Sequence, residues 1–238
     1  MKSLLLVMSL SAVFTSGVAA QSFCASDGQA TPVTLVDRFI SADCDTCWRT
    51  APTEATDAQT LTLDWIVPSA QGDEAPLSAA ASRDALQRLS SLGQAAPNST
   101  LTLRTPVGQK RSWQLRVANG MVLGGYIGAS LLFKTSTQPR HPENLSAWLV
   151  LIETIPAGTE GTPAERNIVR NVLQPPYYLR KQLSKDEYVI FQETRPLSIP
   201  PGAVPERLRV VGWVQDAKGR ILSAAQSVCR APEPSATE

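Results

Sequence analysis

The segment from Val33 to Pro52 (VTLVDRFISADCDTCWRTAP) joins a strand-like apolar run to two closely spaced cysteines. Positions 33–40 are rich in β-branched and apolar side chains, which is typical of a buried strand. Cys44 and Cys47 follow with two residues between them, a spacing that brings the second sulfur back beside the first after one helical turn. A buried strand that delivers a C-x-x-C pair to the start of a helix predicts a dithiol or disulfide site.

The two cysteines are expected to have different roles. A helix over residues 44–58 would direct unpaired N–H groups and a partial positive charge at Cys44, favouring its thiolate. We therefore expect Cys44 to be the attacking thiolate and Cys47 the resolving thiol. Two other interpretations stay open, an inaccessible static disulfide and a soft metal ion held by the thiolates. No metal site is expected overall, because the chain has a single histidine, His141, and no second C-x-x-C pair.

The residue patterns around this segment are typical of an α/β fold. An alternating run at Thr60–Val67 predicts a second strand, and apolar residues at helical spacing predict a helix over Leu77–Leu92, followed by Gly93 as its stop. The order strand, helix, strand, helix is an α/β signature.

Beyond Pro97 the pattern changes to short apolar runs that predict successive antiparallel strands. Asn119-Gly120 predicts a hairpin turn between two of them, and Asp216–Gly219 predicts a tight hairpin between the last two.

The cysteine segment resembles the active-site region of thioredoxin-like proteins. In those proteins a central strand ends at the C-x-x-C pair, and a proline about five residues later kinks the helix, where Pro52 stands here. The resemblance implies a buried acid near the resolving sulfur, for which Asp37 is the candidate, with a surface carboxylate as the alternative. It also implies a proline loop beside the pair, for which Pro106 is the candidate, with a hairpin-turn proline as the alternative. Trp48 is either a substrate-facing surface or a core residue.

Four later stretches extend the resemblance over most of the chain. Together with the cysteine segment they are similar to the proteobacterial, secreted thioredoxin-like family of unknown function called domain of unknown function family 1223. That resemblance implies an α/β thioredoxin-like portion over residues 21–96 and a mostly antiparallel, β-rich portion over residues 97–238. The stretches are AWLVLIE at 147–153, ERNIVRNV at 165–172, VGWVQD at 211–216 and ILSAA at 221–225.

Residues 1–20 have the composition of a signal peptide. Lys2 is followed by the apolar run Leu4–Val13 and then by the small residues Val18-Ala19-Ala20. The mature chain is expected to begin near Gln21 and to lie in the periplasm or outside the cell. No later stretch is apolar for long enough to predict a membrane span.

Export changes how the four cysteines are interpreted, because an oxidising compartment favours two disulfides. If Cys44 and Cys47 pair locally, Cys24 and Cys229 are left to join the two ends of the mature chain. The alternative is an unpaired Cys24 in a flexible tail.

The remaining composition narrows the function. A net charge of +1 does not suggest nucleic acid or an anionic membrane as a partner, and no hydrolase, phosphate-loop or dinucleotide motif is found, so no cofactor is expected. The expected function is thiol–disulfide exchange on exported proteins that carry thiols or disulfides. The alternative is a non-catalytic binding or structural protein that keeps an inert disulfide.

Overall fold

The computed structural model describes residues 24–52, 59–136, 142–176, 180–184 and 187–229. The expected signal peptide, its cleavage site and His141 lie outside these residues. The chain forms two large β-sheets with two α-helices among the described residues, α1 (Asp45–Arg49) and α2 (Arg83–Ser91). The strands are β1 (Cys24–Ala25), β2 (Thr34–Ser41), β3 (Thr60–Val67), β4 (Thr100–Pro106), β5 (Trp113–Leu123), β6 (Tyr126–Thr135), β7 (Leu145–Ile155), β8 (Arg166–Leu173), β9 (Arg180–Ser184), β10 (Glu187–Ser198), β11 (Leu208–Asp216), β12 (Ile221–Gln226) and β13 (Val228–Cys229).

The larger sheet has seven strands in the order β12-β11-β7-β8-β3-β2-β4. β3 runs parallel to both β2 and β8, whereas the other neighbouring pairs are antiparallel. Strands from both predicted portions of the chain therefore hydrogen-bond within one sheet. β2 and β3 are buried on both faces, which explains their almost continuous apolar sequences.

The smaller sheet has six strands in the order β13-β1-β5-β6-β10-β9, and all of its pairs are antiparallel. It packs against the β12-β11-β7 half of the larger sheet through a core of aliphatic and aromatic side chains. Gly212 in β11 permits this approach, because a Cβ at that position would lie 2.6 Å from Val117 Cγ1. The absence of a side chain there allows the two sheets to come together.

Two further apolar clusters cover the rest of the larger sheet. On the face away from the smaller sheet, α2 packs its Ala85 and Leu89 against Trp65, Trp148 and neighbouring core residues. On the opposite face, beside the smaller sheet, α1 and the segment 72–80 cover the β8-β3-β2 half. This second cover includes the C-x-x-C pair.

The prediction of an α/β thioredoxin-like N-terminal portion is wrong. In the part of the chain that the structure describes, the fold is mostly β and is built from two large sheets with two α-helices. After β3 and α2 the chain does not add another parallel strand; it adds β4, which pairs antiparallel to β2. The neighbour of β3 on its other side is β8, which comes about a hundred residues later in the chain.

Of the two hairpin turns that the sequence predicted, one is confirmed and one is wrong. The hairpin at Asp216–Gly219 is confirmed, with the Gly219 N–H donating to the Asp216 carbonyl at 2.9 Å. The turn at Asn119-Gly120 is wrong, because β5 continues through it with a shift in register, and the chain turns at Gly124-Gly125, where both glycines have positive φ.

The predicted helix over Leu77–Leu92 is shorter in the structure. It begins only at Arg83, because the Ser82 side chain caps it by accepting from the Asp84 N–H at 3.0 Å. Gly93, with φ of 66°, ends it as the sequence predicted.

Candidate functional site

The C-x-x-C pair lies where β2 leaves the larger sheet and enters α1. Cys44 is the residue before the first helical turn, and it is disulfide-bonded to Cys47 within that turn. Both side chains are partly exposed. The helix ends at Arg49 and Thr50 is extended, so α1 is a single turn rather than the predicted helix over residues 44–58. Pro52 consequently follows the helix and does not kink it.

Arg166 holds the C-terminal end of this short helix. Its Nη2 donates to the carbonyl oxygens of Cys47 (3.2 Å), Trp48 (3.1 Å) and Thr50 (2.8 Å). The carbonyls at the end of a helix have no partners within the helix, and a cation there also interacts favourably with the helix dipole. A one-turn helix has little stability of its own, so this buried guanidinium and the packing of Trp48 hold it in place.

Trp48 is a core residue, which decides between the two interpretations of its role. Its side chain is buried beside Ile40, Ile66 and Ile168 of the larger sheet. Its indole Nε1 donates to the carbonyl of Glu160 at 2.7 Å, in the loop that joins β7 to β8. The same loop and β8 therefore fix α1 through a hydrogen bond and through Arg166, whose guanidinium carbon lies 5.3 Å from the Trp48 ring centroid.

A second arginine and one carboxylate complete the polar layer under the pair. Asp64 in β3 is fully buried and accepts two hydrogen bonds at 2.8 Å from Nε and Nη2 of Arg38 in β2. Asp64 also accepts from the Asn167 backbone N–H at 2.7 Å and lies 3.6 Å from Nη1 of Arg166. Burial lowers the pKa of the Arg166 guanidinium, Asp64 raises it, and the like charge of Arg38 lowers it, with a lowered value as the result. Two guanidinium groups thus share one carboxylate.

A cavity of about 310 Å³ opens beside this layer at the edge of the larger sheet. Cys47 lines it, together with Arg38, Arg166, Pro52 and, from edge strand β4, Thr102. Cys44 is not among its lining residues. The cavity therefore gives access to the disulfide from the side of Cys47.

Asp37 lies on the opposite face of the sheet from the cysteine pair. It is fully buried, accepts from the Trp65 indole Nε1 at 2.8 Å and forms an ion pair with Arg88 at 2.7 Å. Side chains alternate across a strand, so Asp37 points away from the face to which its neighbour Arg38 contributes. The surface-carboxylate interpretation is wrong, and the structure does not bring Asp37 to the cysteine pair as a proton acceptor.

Pro106 is also distant from the pair. It is the last residue of β4 and pairs with Thr34 at the beginning of β2, whereas Cys44 follows the end of β2. β2 therefore separates them by its whole length, and Pro106 does not form a wall of the site. It is not a hairpin-turn residue either, because it belongs to a paired strand.

Cys24 and Cys229 form the predicted second disulfide, across 205 residues of sequence. The two residues are direct partners in the antiparallel pairing of β1 with β13. Cys24 is buried and is held in a strand, so the alternative of a flexible, unpaired Cys24 is wrong.

Sequence reasoning missed Arg38, Asp64 and Arg166. A signal existed for the first two, since a charged residue in the middle of an apolar strand must find a buried partner. Arg166 had no such signal, because it lies 119 residues beyond Cys47 and acts through backbone carbonyls. In the described part of the chain, no group of three or more histidine, cysteine or acidic side chains is placed to hold a metal ion.

Comparisons with known proteins give a similarity of fold and do not indicate a function. The chain matches no protein-family model, and no curated protein is significantly similar to it in sequence. It is similar in structure to HBP35 of Porphyromonas gingivalis, with a TM-score of 0.50 and 11% sequence identity over 89% of this chain and 79% of that chain. At this identity the similarity concerns the fold alone.

Proposed function

We propose that this protein carries out thiol–disulfide exchange through Cys44 and Cys47. The observation that carries the proposal is the position of the pair, a partly exposed disulfide at the end of a buried strand, with one cysteine lining an open cavity. A purely structural disulfide has no need of such access, whereas exchange requires an incoming thiolate to reach a sulfur in line with the bond.

The expected substrates are thiols or disulfides of exported proteins. Two disulfides, one of them joining β1 to β13, are consistent with an oxidising compartment. No helix in the described ranges has the length and apolar character needed to cross a membrane. N-terminal sequencing of protein recovered from the periplasm or medium should find a start near Gln21; exported protein that retains Met1 would contradict cleavage of the leader.

The test of exchange is chemical. The pair should be reduced under native conditions by a dithiol, with a measurable reduction potential, and one of the single variants Cys44→Ser and Cys47→Ser should accumulate mixed disulfides with exported proteins. The double variant is the control and should trap nothing. If the pair resists reduction in the folded protein and neither variant traps a partner, the exchange function is rejected and the non-catalytic alternative stands.

We also propose a relationship to domain of unknown function family 1223. The support is the order of the four stretches described above, which fall in β7, β8, β11 and β12. A member of that family should share the order of strands in the seven-stranded sheet. A different order in that family would reject the relationship without affecting the exchange function.

A further inference from the structure

The two sulfurs of the pair have different electrostatic surroundings. In the chain, Cys44 follows Asp43, which accepts from the Ser69 hydroxyl at 2.6 Å, and precedes Asp45, which is paired with Arg49 at 2.6 Å. The Cys44 Sγ lies 3.5 Å from the hydroxyl of Thr46. Cys47 lines the cavity into which Arg38 and Arg166 also face. With Asp45 neutralised by Arg49, the one unpaired charge next to Cys44 in the sequence is the carboxylate of Asp43, whereas two arginines line the cavity beside Cys47.

The positive charge beside the cavity is only partly neutralised. Arg38 and Arg166 carry two positive charges, and the nearby carboxylate of Asp64 carries one negative charge. Among the described residues that line the cavity, the charged ones are these two arginines. Arginine stays protonated in proteins, so the layer keeps a net charge of about +1 at neutral pH. Low-dielectric walls increase the effect of such a charge on an incoming ion.

We propose that the cavity selects thiols that carry a carboxylate close to the sulfur and directs them to Cys47. This reverses the roles expected from the sequence, because Cys47 and not Cys44 lines the cavity. The proposal rests on the proposed exchange function and names its substrate class. The carboxylate comes either from a small thiol acid or from an acidic residue adjacent to a cysteine in a peptide. A volume of about 310 Å³ is at the lower end of the range for small-molecule sites, and accommodates either source.

The exchange then proceeds in two balanced steps. The substrate thiolate attacks Cys47 Sγ, a substrate–Cys47 bond forms, the Cys44–Cys47 bond breaks, and its electron pair leaves on Cys44 Sγ, beside the hydroxyl of Thr46. Cys44 takes up the proton that the substrate thiol lost. A second substrate thiolate attacks the substrate sulfur of the mixed disulfide, releasing Cys47, which takes up the second proton. Two substrate thiols become one disulfide, and the protein pair is reduced by two electrons.

The decisive measurement compares thiols of different charge as reductants of the wild-type protein. The probes are 3-mercaptopropionate, neutral 2-mercaptoethanol and cationic 2-aminoethanethiol, with rates corrected for thiolate fraction and normalised to a small uncharged disulfide. We expect 3-mercaptopropionate to react about tenfold faster than 2-aminoethanethiol at low ionic strength, with the ratio falling toward one in about 1 M salt. Short peptides with Glu-Cys and Lys-Cys form the second arm. If the acidic probe reacts faster both among the small thiols and among the peptides, the substrate can be a peptide. If it reacts faster only among the small thiols, the substrate is a small thiol acid.

Variants locate the charge and the attacked sulfur. Arg38→Gln leaves Asp64 paired with Arg166, so the layer loses its net positive charge. The ratio of the 3-mercaptopropionate rate to the 2-aminoethanethiol rate should then fall at least threefold. Arg116→Gln is the matched control, because it removes an exposed arginine of the smaller sheet that is paired with Asp27. It should leave the rate ratio of the two charged thiols unchanged. Quenched mixed disulfides of wild-type protein should map to Cys47 by mass spectrometry.

The proposal is overturned if the wild-type ratio is near one or favours the cationic thiol, or if the mixed disulfide maps to Cys44. Both results come from wild-type protein and do not depend on how the variants fold. Either result leaves the exchange function intact as long as the pair is reduced in the native protein; a pair that cannot be reduced rejects the exchange function itself.

Discussion

At the scale of single residues, Arg166 connects three elements of the fold, although the sequence did not single it out. It joins β8 to the end of α1 through three backbone carbonyls and to β3 through Asp64. Its side chain is only 3% exposed, so removing it leaves buried carbonyls and a buried carboxylate without their partner.

We therefore predict that Arg166→Gln lowers the free energy of unfolding by about 3 kcal/mol. Arg166→Lys should recover part of this loss, since it keeps the charge but cannot form the planar fork of hydrogen bonds. Denaturant unfolding measures both variants. Arg116→Gln breaks an exposed ion pair and should cost less than about 1 kcal/mol. Equal losses for the buried and exposed arginines would contradict the role given to Arg166.

A second residue-scale prediction concerns the contact between the sheets. Gly212→Ala should destabilise the protein by about 1–3 kcal/mol, because the new Cβ would overlap Val117 Cγ1 and cannot be accommodated in a packed core. Gly128→Ala in β6 is the matched control, since nothing lies within 4 Å of a Cβ there. Adding Val117→Ala to Gly212→Ala should recover part of the loss if overlap is the cause; an additive double variant would point to another cause.

At the scale of elements, the β11–β12 hairpin depends on an ionised turn residue. Partial burial raises the pKa of Asp216, but hydrogen bonds from the Arg220 side chain and backbone and from the Lys218 N–H, with the charge of Arg220, lower it below its usual 3.8 overall. Because the folded state has the lower pKa, ionised Asp216 stabilises the fold above pH 3.8, and the contribution is lost as the pH falls through the folded-state value.

Asp216→Asn keeps an oxygen in the turn but removes the charge. We predict a loss of at most about 1 kcal/mol at pH 7 that shrinks toward zero below pH 3.8, measured by urea unfolding across pH. A loss of the same size at pH 7 and pH 3 would show that the charge is not responsible.

Elements that are determined by residues close to them in the sequence could be predicted. The alternation of β3, the glycine that ends α2 and the turn at Asp216–Gly219 all act within a few residues. The failures have non-local causes. Asn119-Gly120 favours a turn, but pairing of β5 with β6 on both sides of it keeps the strand extended and moves the turn to two glycines. The sequence predicted the C-x-x-C pair. It could not predict the polar layer of Arg38, Asp64 and Arg166, because that layer depends on β8 lying beside β3.

At the scale of the whole molecule, the Cys24–Cys229 disulfide constrains the unfolded chain far more than the Cys44–Cys47 disulfide does. The first closes a loop of 205 residues and the second spans three. Loop entropy predicts that Cys24→Ser/Cys229→Ser costs about 4 kcal/mol more than Cys44→Ser/Cys47→Ser. Thermal or denaturant unfolding of the two double variants measures the difference, and equal losses would contradict it.

The architecture shows why an order of strands and helices does not determine a fold. The first strand, the cysteine pair and the second strand all form, with β2 parallel to β3 as in an α/β unit. Their neighbours in the sheet are set by β4 and β8, whose positions depend on long-range pairing that local patterns do not encode.

The disulfide between β1 and β13 makes the described chain a closed ring, with strand pairing at the point of closure. A single cut of the backbone at Gly124-Gly125, where both residues are exposed, does not divide such a ring into two molecules. The nicked protein keeps its mass on a non-reducing gel, and the fragments separate only after reductant breaks the link between its ends. Proteolysis in an oxidising environment thus leaves one covalent molecule, with both sheets still connected.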